Sequence, residues 1–402
     1  MIKPMENKIK GSEAFWKALL AEGVDTVFGY PGGQIMHVYD SLCSYTDRIR
    51  HILVRHEQGA IHAAQGFARV SSRPGVVIVT SGPGATNVVT GLVDAMTDST
   101  PLVVVTGQVS NAALGTDAFQ EADVTGMTGP ITKWNYQIRR PEDVAWAVAR
   151  AFYIASSGRP GPVVLDFTRD AQVGMTDFKY EKCTGIRSYH PTHFPSDADL
   201  DAAAALIDAS EKPFVVFGQG VTISHAEDRL AEFLRKADLP SGSTMLGLSA
   251  LPGDFPGYEG MIGMHGHLAA NVKTCECDLL IAVGMRFDDR VTGTVDKYAR
   301  QAKVIHIDID KAEIGKIIPV NVGLCGDAGL VLEALTSRIG KGNHTAWKES
   351  FTACRELEKK TVIDPELHPS GKELRMGYAS NIRFSTLEEG MLRISVSSKF
   401  LD

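Results

Sequence analysis

The sequence predicts an α/β protein built from two doubly wound parallel sheets. Short β-branched runs alternate with amphipathic stretches of helical period, the pattern of a parallel sheet covered by helices on both faces. The alternation runs from residue 12 to about residue 170, breaks over residues 171–195, and resumes to residue 339. Two such series with an aperiodic break between them predict two domains of the same class.

Eight runs carry the predicted strands, and each is short, apolar and followed by a polar or helical stretch. They cover residues 25–28, 51–54, 76–80, 102–106 and 163–167 in the first series, and 213–217, 279–283 and 304–309 in the second. Residues 199–210 and 226–237 have a helical period. The break carries Lys, Tyr, His and Pro without periodicity and predicts a linker.

Composition and charge narrow the classes of function. The chain has 402 residues, 44% hydrophobic and 22% charged, as in ordinary globular proteins. A formal net charge of −7 without a basic stripe argues against nucleic acid or an anionic membrane as partner. No apolar run is long enough to span a bilayer, and the first ten residues lack the apolar region of a signal peptide. Six scattered cysteines fit reduced thiols, so we expect a cytoplasmic protein acting on small molecules.

Glu57 is the first candidate site residue, because it follows a predicted strand and opens a predicted helix. That places it at the carboxyl edge of the sheet, where α/β folds bind ligands. Taken alone, an acid in a first helical turn is explained more simply by the helix dipole. Two small-residue loops at neighbouring strand ends favour a binding role. They are Gly29-Tyr30-Pro31-Gly32-Gly33 and Ser81-Gly82-Pro83-Gly84-Ala85-Thr86-Asn87, the second without the lysine of a P-loop.

Four segments together resemble the large subunit of acetohydroxyacid (acetolactate) synthases, a family of thiamine diphosphate enzymes. The resemblance covers roughly residues 10–375. The segments are Arg55-His56-Glu57-Gln58-Gly59-Ala60, Thr80-Ser81-Gly82-Pro83-Gly84-Ala85-Thr86-Asn87, Gly115-Thr116-Asp117-Ala118-Phe119-Gln120-Glu121 and Ser157-Gly158-Arg159-Pro160-Gly161-Pro162.

The resemblance implies that residues 10–172 bind the aminopyrimidine of thiamine diphosphate. Glu57 would activate the cofactor through a ring nitrogen. Phe119 and Gln120 match positions at the substrate pocket, although without the flanking motif Phe119 would be interpreted as a core aromatic. Arg169 stands where the family has a lysine at the site entrance, which leaves its role open because the two cations differ in geometry. The residues expected to line the aminopyrimidine end are Tyr30, Pro31, Gly32, Gly33, Pro83 and Asn87.

After a linker over residues 173–197, residues 198–340 resemble the family's FAD-binding domain. The resemblance implies that Arg286 and Arg290 would pair with the negative charge of the FAD pyrophosphate. Without the resemblance, these arginines and the acids between them are equally explained as a solvated charge cluster. In the family the flavin takes no net part in the reaction. Further positions that match flavin-contacting residues are Gly218, Gln219, Gly220, Thr244, Met245, Leu246, Met264, His265, Gly284, Asp288, Val291, Arg159, Asp308 and Asp327.

The family's third domain holds Mg²⁺ and the diphosphate through a Gly-Asp-Gly turn followed by Asn-Asn, and this sequence contains neither. Gly326-Asp327-Ala328 is only superficially similar, and no metal ligand is predicted here. Residues 341–402 are expected to form a polar helix and an atypical, truncated tail. Because the family's active site forms between two subunits, a homodimer or homotetramer of this chain would hold only half of each site.

The resemblance implies acetolactate synthesis from pyruvate, or from pyruvate and 2-ketobutyrate, the first common step of branched-chain amino acid biosynthesis. A truncated chain is expected to be impaired alone, and a regulatory small subunit is a candidate partner. Two alternatives stay open: a non-catalytic FAD-binding remnant, and another thiamine-dependent carboligase or oxidase. Phe119-Gln120 favours acetolactate chemistry over the latter.

Overall fold

The structure is a computed structural model that describes residues 8–367 and the strands Ile382–Thr386 and Leu392–Val396. The chain divides into two compact units, residues 1–192 and 193–402. Each unit contains a six-stranded parallel sheet, which confirms the predicted class of two doubly wound α/β domains. No helix among the described residues is both long and apolar enough to cross a membrane.

The sheet of the first unit has the order β3-β2-β4-β5-β7-β6, with every neighbouring pair parallel. A separate two-stranded antiparallel ribbon pairs β1 with β8. The strands are β1 Lys8–Lys10, β2 Thr26–Gly29, β3 Arg50–Leu53, β4 Gly75–Val79, β5 Leu102–Gln108, β6 Trp134–Ile138, β7 Pro162–Thr168 and β8 Met175–Asp177. The helices are α1 Gly11–Ala21, α2 Met36–Leu42, α3 Glu57–Ser71, α4 Pro83–Thr86, α5 Val89–Thr97, α6 Val124–Thr128, α7 Val144–Ser156 and α8 Arg169–Val173.

Alternate residues of the central strands bury their side chains on opposite faces of this sheet, because the side-chain period of a strand is two. On β5, Val103 and Val105 join the apolar layer that contains Phe15 and Trp16 of α1. Val104, between them, joins the layer formed with α3 and α5. Burial on both faces explains why β4 and β5 are near-continuous apolar runs rather than alternating ones.

The second unit has the strand order β11-β10-β9-β12-β13-β14, again all parallel. Helices α9, α11 and α14 cover one face, while α12 and the segment around Trp347 and Phe351 cover the other. The strands are β9 Pro213–Phe217, β10 Ser241–Ser243, β11 Tyr258–Met261, β12 Leu279–Val283, β13 Lys303–Asp308 and β14 Val322–Cys325, with Ile382–Thr386 (β15) paired antiparallel to Leu392–Val396 (β16). The helices are α9 Asp197–Asp208, α10 Gly220–Ile223, α11 Glu227–Ala237, α12 Leu268–Thr274, α13 Asp289–Thr292, α14 Ala328–Arg338, α15 Thr345–Glu349, α16 Thr352–Glu358, the π-helix Lys359–Ile363 and α17 Asp364–Leu367.

All eight predicted strands are present within one or two residues, and four strands of the two sheets were missed. The missed strands are β6, β10, β11 and β14, three of which contain glycine and all of which lie in the outer part of a sheet. The interval predicted as linker, 173–197, contains β8, so it is not wholly irregular. The domain limits themselves remain a prediction. Of residues 341–402, for which a polar helix and an atypical tail were expected, 341–367 contain the short helices α15, α16 and α17 and a π-helix, and the remainder lies outside the described residues except for β15 and β16.

Candidate active site

Glu57 is the first residue of α3, at the carboxyl edge of the first sheet. The preceding residue, His56, caps the helix: its Nδ1 accepts a hydrogen bond from the Gln58 amide at 3.1 Å. At the end of β3, the Val54 amide donates to the Gly29 carbonyl at 3.2 Å and ties this edge to the end of β2. Glu57 is only 8% exposed, so its carboxylate is held in a largely desolvated position near the positive end of a helix.

Among the described residues, one oxygen of this carboxylate has a hydrogen-bond partner and the other has none. The Asn87 amide Nδ2 donates to Glu57 Oε2 at 2.9 Å, across 30 residues of sequence. Within the described part of the chain no donor bonds Oε1, which lies 3.5 Å from where a Cβ on Gly84 would stand. Oε1 is therefore free to bind a polar hydrogen of a ligand, provided that position 84 stays small.

The loop after β2 packs its backbone against Thr80 at the end of β4. The Gln34 amide donates to Thr80 Oγ1 at 3.2 Å, and a Cβ on Gly32 would lie 2.6 Å from the Thr80 Cβ. Only glycine fits at position 32, because Thr80 is buried and β-branched. Tyr30 is 40% exposed, and Pro31 and Gly33 are exposed beside it.

The segment 115–121 contacts the same edge through Gly82. Gly82 has a φ of +53°, and a Cβ there would lie 2.7 Å from the Gln120 carbonyl oxygen. Gln120 is itself in the left-handed region, at +60°, and the neighbouring Phe119 is 83% exposed. Phe119 is thus not a core aromatic, and Gln120 lies against the loop that carries Pro83 and Asn87.

Glu121 organises this segment from within. Its carboxylate accepts hydrogen bonds from the amides of Gly115, Thr116 (3.2 Å) and Ala118 (3.1 Å). These bonds, the one from Gly115 first, hold the pKa of Glu121 below its usual range. The resemblance had included Glu121 in a motif without giving it a role.

Arg169 begins α8 at the end of β7, and its amide donates to the Val109 carbonyl at 3.4 Å. It therefore lies at the same sheet edge as the segment that follows β5, with its side chain exposed. No hydrogen bond or ion pair within the described residues joins Arg169 to Glu57, so a role at the entrance of the site remains a prediction.

In the second unit the predicted glycine loops meet at the carboxyl ends of β9 and β12. A Cβ on Gly218 would lie 2.6 Å from the Gly284 carbonyl oxygen, and one on Gly220 would lie 2.5 Å from the Gly284 Cα. Beside them, Thr244 caps the turn at Met245–Gly247, its Oγ1 accepting from the Gly247 amide at 3.2 Å. The four residues Met245, Leu246, Met264 and His265 are exposed here, and Gln219 is partly buried.

The charged residues predicted in this unit are held in defined positions. Asp288 caps α13, its Oδ1 accepting from the amides of Arg290 (2.9 Å) and Val291 (3.2 Å), while its Oδ2 lies 3.9 Å from Arg286. Asp308 Oδ1 accepts from the Asp310 amide at 2.8 Å, and Asp327 caps α14 through the Leu330 amide at 3.0 Å. Asp327 thus has a structural role as the cap of α14.

Arg159 lies in the first unit. Its Nε donates to Ser99 Oγ at 2.9 Å, and a guanidinium nitrogen reaches the Thr97 carbonyl at 3.4 Å. Its assignment to a flavin remains a prediction, as do the assignments in the second unit. Among the residues that the structure describes, no group of three His, Cys, Asp or Glu side chains is arranged to hold a metal ion.

Asp166, a fully buried acid within β7, was not among the residues predicted from the sequence. Burial raises its pKa to about 6, although hydrogen bonds from Gln137, Thr106 and Gln108 act in the opposite direction. The sequence does contain an indication of this buried acid, because Asp166 interrupts the otherwise apolar strand Pro162–Thr168. A charged residue is rarely fully buried without dedicated hydrogen-bonding partners.

Comparison with known proteins gives two family matches and a set of close relatives. Residues 9–127 match the N-terminal TPP binding domain of thiamine pyrophosphate enzymes, and residues 200–335 match the central domain of the same enzymes. A probable acetolactate synthase large subunit of Methanocaldococcus jannaschii is 48% identical over 337 residues, which are 82% of this chain and 56% of that protein.

Two further relatives are similar to the same degree. The acetolactate synthase large subunit of Corynebacterium glutamicum is 47% identical over 82% of this chain and 52% of its own length. The isozyme 2 large subunit of Escherichia coli is 45% identical over 87% of this chain and 62% of its own. The chain therefore spans between about half and two thirds of the length of the relatives it matches.

Proposed function

The chain belongs to the thiamine pyrophosphate enzyme family, and we propose that it provides the cofactor-activating and flavin-binding domains of an acetolactate synthase large subunit. The observation that carries this proposal is the carboxylate of Glu57, buried at a strand-to-helix corner. One oxygen is bonded to Asn87, and the other has no partner in the part of the chain that the structure describes. Its relatives are named acetolactate synthase large subunits, which supports the same activity here.

The residues around Glu57 fit an aminopyrimidine ring. When bound, thiamine diphosphate supplies the carbanion chemistry that decarboxylates a 2-keto acid and transfers its two-carbon unit. Glu57 would hold a ring nitrogen and share its proton through Oε1, because Oε2 is already occupied by Asn87. Gly84 keeps side-chain bulk away from Oε1, Gly32 allows the loop after β2 to pack on Thr80, and Tyr30 and Pro83 would border the ring.

Phe119 and Gln120 would face the keto acid, the aromatic ring as an apolar wall and the amide as a donor. Arg169, exposed at the same sheet edge, offers a cation for the substrate carboxylate. In the proposed reaction one pyruvate loses CO₂, and its two-carbon remainder bonds to the carbonyl carbon of a second pyruvate or of 2-ketobutyrate. The products are precursors of branched-chain amino acids.

FAD would bind the second unit at the loops after β9, β10 and β12. Close backbone packing of Gly218 and Gly220 on Gly284 shapes that edge, and Arg286 and Arg290 supply positive charge for a pyrophosphate. Mg²⁺ would belong to the diphosphate end of thiamine diphosphate, for which this chain has no Gly-Asp-Gly turn. A homodimer or homotetramer, a regulatory small subunit and a cytoplasmic location complete the proposal.

Glu57→Gln tests the central assignment, because it keeps the shape and replaces the carboxyl group, which can accept and return a proton, with an amide, which cannot. We expect acetolactate formation from pyruvate, with thiamine diphosphate, Mg²⁺ and FAD present, to fall at least about 100-fold. Binding of thiamine, measured by calorimetry on the 402-residue chain, provides a readout that needs no turnover and is expected to weaken.

Glu13→Gln is the matched control, since Glu13 also lies in the first turn of a helix but pairs with Lys17 at 3.5 Å on the surface. If both variants behaved alike, Glu57 would serve only the helix dipole and the assignment would be wrong.

A non-catalytic flavin-binding protein is the second candidate, favoured by the defined glycine loops of the second unit. FAD binding by a chain that does not bind thiamine would support it. Consumption of O₂, or of keto acids other than pyruvate and 2-ketobutyrate, would instead indicate a different thiamine-dependent carboligase or oxidase.

A further inference from the structure

A row of polar side chains crosses the first sheet around the buried Asp166 and reaches the edge strand β6. Thr106 on β5 and Gln137 on β6 are the cross-strand neighbours of Asp166 on β7. Thr106 Oγ1 donates to Asp166 Oδ1 at 2.8 Å, while Oδ2 accepts from Gln137 Nε2 at 2.8 Å and Gln108 Nε2 at 3.1 Å. These partners are neutral, so the buried charge is compensated by hydrogen bonds rather than by an ion pair.

Gln108 extends this row to the edge of the sheet. Its Oε1 accepts from the Val109 amide at 2.8 Å, and its Nε2 donates both to Asp166 and to the Ala122 carbonyl at 2.9 Å. The amide is thereby oriented from both ends: reversing it would place its oxygen against the carboxylate. Asp166 selects the orientation in which Gln108 binds Ala122.

Ala122 directly follows the loop of residues 115–121, which carries Phe119 and Gln120. Glu121 closes this loop by accepting hydrogen bonds from the amides of Thr116 and Ala118. The backbone of Gln120 packs against Gly82. The bond from Gln108 to Ala122 joins that closed loop to the sheet. Without it, the loop would keep its internal shape but lose a fixed position relative to Glu57.

We propose that Asp166, acting through Gln108, is a positioning residue that holds the Phe119–Gln120 loop at the substrate end of the site. The proposal rests on the proposed function in assigning that loop to substrate. Asp166 itself touches neither substrate nor cofactor in this scheme. Its role is to keep the side-chain amide of Gln108 oriented toward the Ala122 carbonyl.

The test compares Gln108→Met with Gln137→Met in the full chain. Both glutamines donate to the same oxygen of Asp166, so both variants remove one bond to the buried acid, but only Gln108 also bonds Ala122. We expect amide hydrogen exchange over residues 115–122 to be about fivefold faster in Gln108→Met, from the loss of one hydrogen bond. Gln137→Met is expected to stay within about twofold of the unchanged protein.

Equal exchange in the two variants would show that Asp166 and Gln108 serve the core alone, and would overturn the proposal. Asp166→Asn provides the conservative rescue, because its oxygen can still accept from both glutamines while its amide donates to the Thr106 hydroxyl. It should leave exchange over 115–122 unchanged. If Gln108→Met fails to fold, Gln108→Asn, one methylene too short to reach Ala122, replaces it.

Enzyme kinetics supply a second readout that separates this proposal from the proposed function. In active enzyme, Gln108→Met should lower kcat/KM for pyruvate about fivefold, chiefly through KM, and Gln137→Met should not. Exchange requires no turnover. A Glu57→Gln variant that binds thiamine as tightly as the unchanged chain would count against the proposed function, while exchange by itself decides the positioning role.

Discussion

At the scale of single residues, two buried carboxylates of the first unit are stabilised in different ways. Glu57 lies at a helix start with one protein hydrogen bond and an unbonded oxygen, whereas Asp166 accepts three hydrogen bonds from neutral groups inside the sheet. The unbonded oxygen suits Glu57 to ligand binding. Asp166, with both oxygens hydrogen-bonded to side chains on adjacent strands, is suited to holding its neighbours.

Asp166 should make the stability of the first unit depend on pH. A pKa raised from 3.8 to about 6 means that the folded state binds the proton more tightly than the unfolded state. Stability from this group is therefore full below pH 3.8 and is lost as the pH rises to about 6, by about 3 kcal/mol. We expect urea unfolding of Asp166→Asn to lack this loss.

The measurement is the difference in unfolding free energy between Asp166→Asn and the unchanged protein, taken from pH 4 to pH 8. The difference should grow in favour of the variant up to about pH 6 or 7 and then level off. A difference that is the same at every pH would contradict the raised pKa.

At the scale of elements, the site is made of loops that follow parallel strands. The turn before α4 has to pass close to the 115–121 segment, which requires a left-handed glycine at position 82. Glycine is also required at position 32, where the loop after β2 meets Thr80. These loops are shaped by the backbone of their neighbours, and not by their own residues alone.

Gly82→Ala tests this packing. Its Cβ would both strain a φ of +53° and meet the Gln120 carbonyl oxygen, so we expect a loss of about 1–3 kcal/mol in unfolding free energy. Faster hydrogen exchange over residues 115–121 should accompany the loss.

Gly59→Ala is the control, because Gly59 lies inside α3 with no atom within 4 Å of the added Cβ. Alanine there should stabilise the helix by about 0.5–1 kcal/mol. If Gly82→Ala did not lower the unfolding free energy either, the two loops could not be packed as closely as described.

At the scale of the whole molecule, the chain combines two α/β units of the same class that differ in the chemistry of their sheet edges. The first presents a buried carboxylate and small residues, and the second presents glycine loops with Arg286 and Arg290. The family matches correspond to these two units, in the N-terminal and central domains of thiamine pyrophosphate enzymes.

FAD should stabilise the second unit by mass action. At 100 times its dissociation constant a ligand that binds only the folded state adds about 2.7 kcal/mol, which appears as a higher melting temperature. We expect Arg286→Ala to show a smaller rise than the unchanged protein at the same FAD concentration.

Arg229→Ala is the matched variant, since Arg229 forms an exposed ion pair with Glu333 at 3.1 Å in the same unit. It should keep the full FAD response. No rise in the unchanged protein, or an identical rise in Arg286→Ala, would count against the flavin assignment.

The strands that were predicted correctly are those with a clear local pattern of apolar residues. Strands β9 and β12 were predicted to the residue, because they are buried on both faces and therefore apolar throughout. Strands β10 and β14 were missed, because Ser241–Ser243 and Val322–Cys325 are short and contain glycine. Such segments become strands only through the partner that pairs with them.

By itself the sequence determined the α/β class, the two domains and the acid at the start of α3, since apolar periodicity and loop composition are local properties. Only the tertiary structure decided that Asn87 leaves one oxygen of Glu57 free, and that Asp166 is bonded through Gln108 to the loop of Phe119 and Gln120. Those contacts join residues 14 to 58 positions apart. Parallel strands bring their ends together at one sheet edge, and no local pattern specifies which side chains meet there.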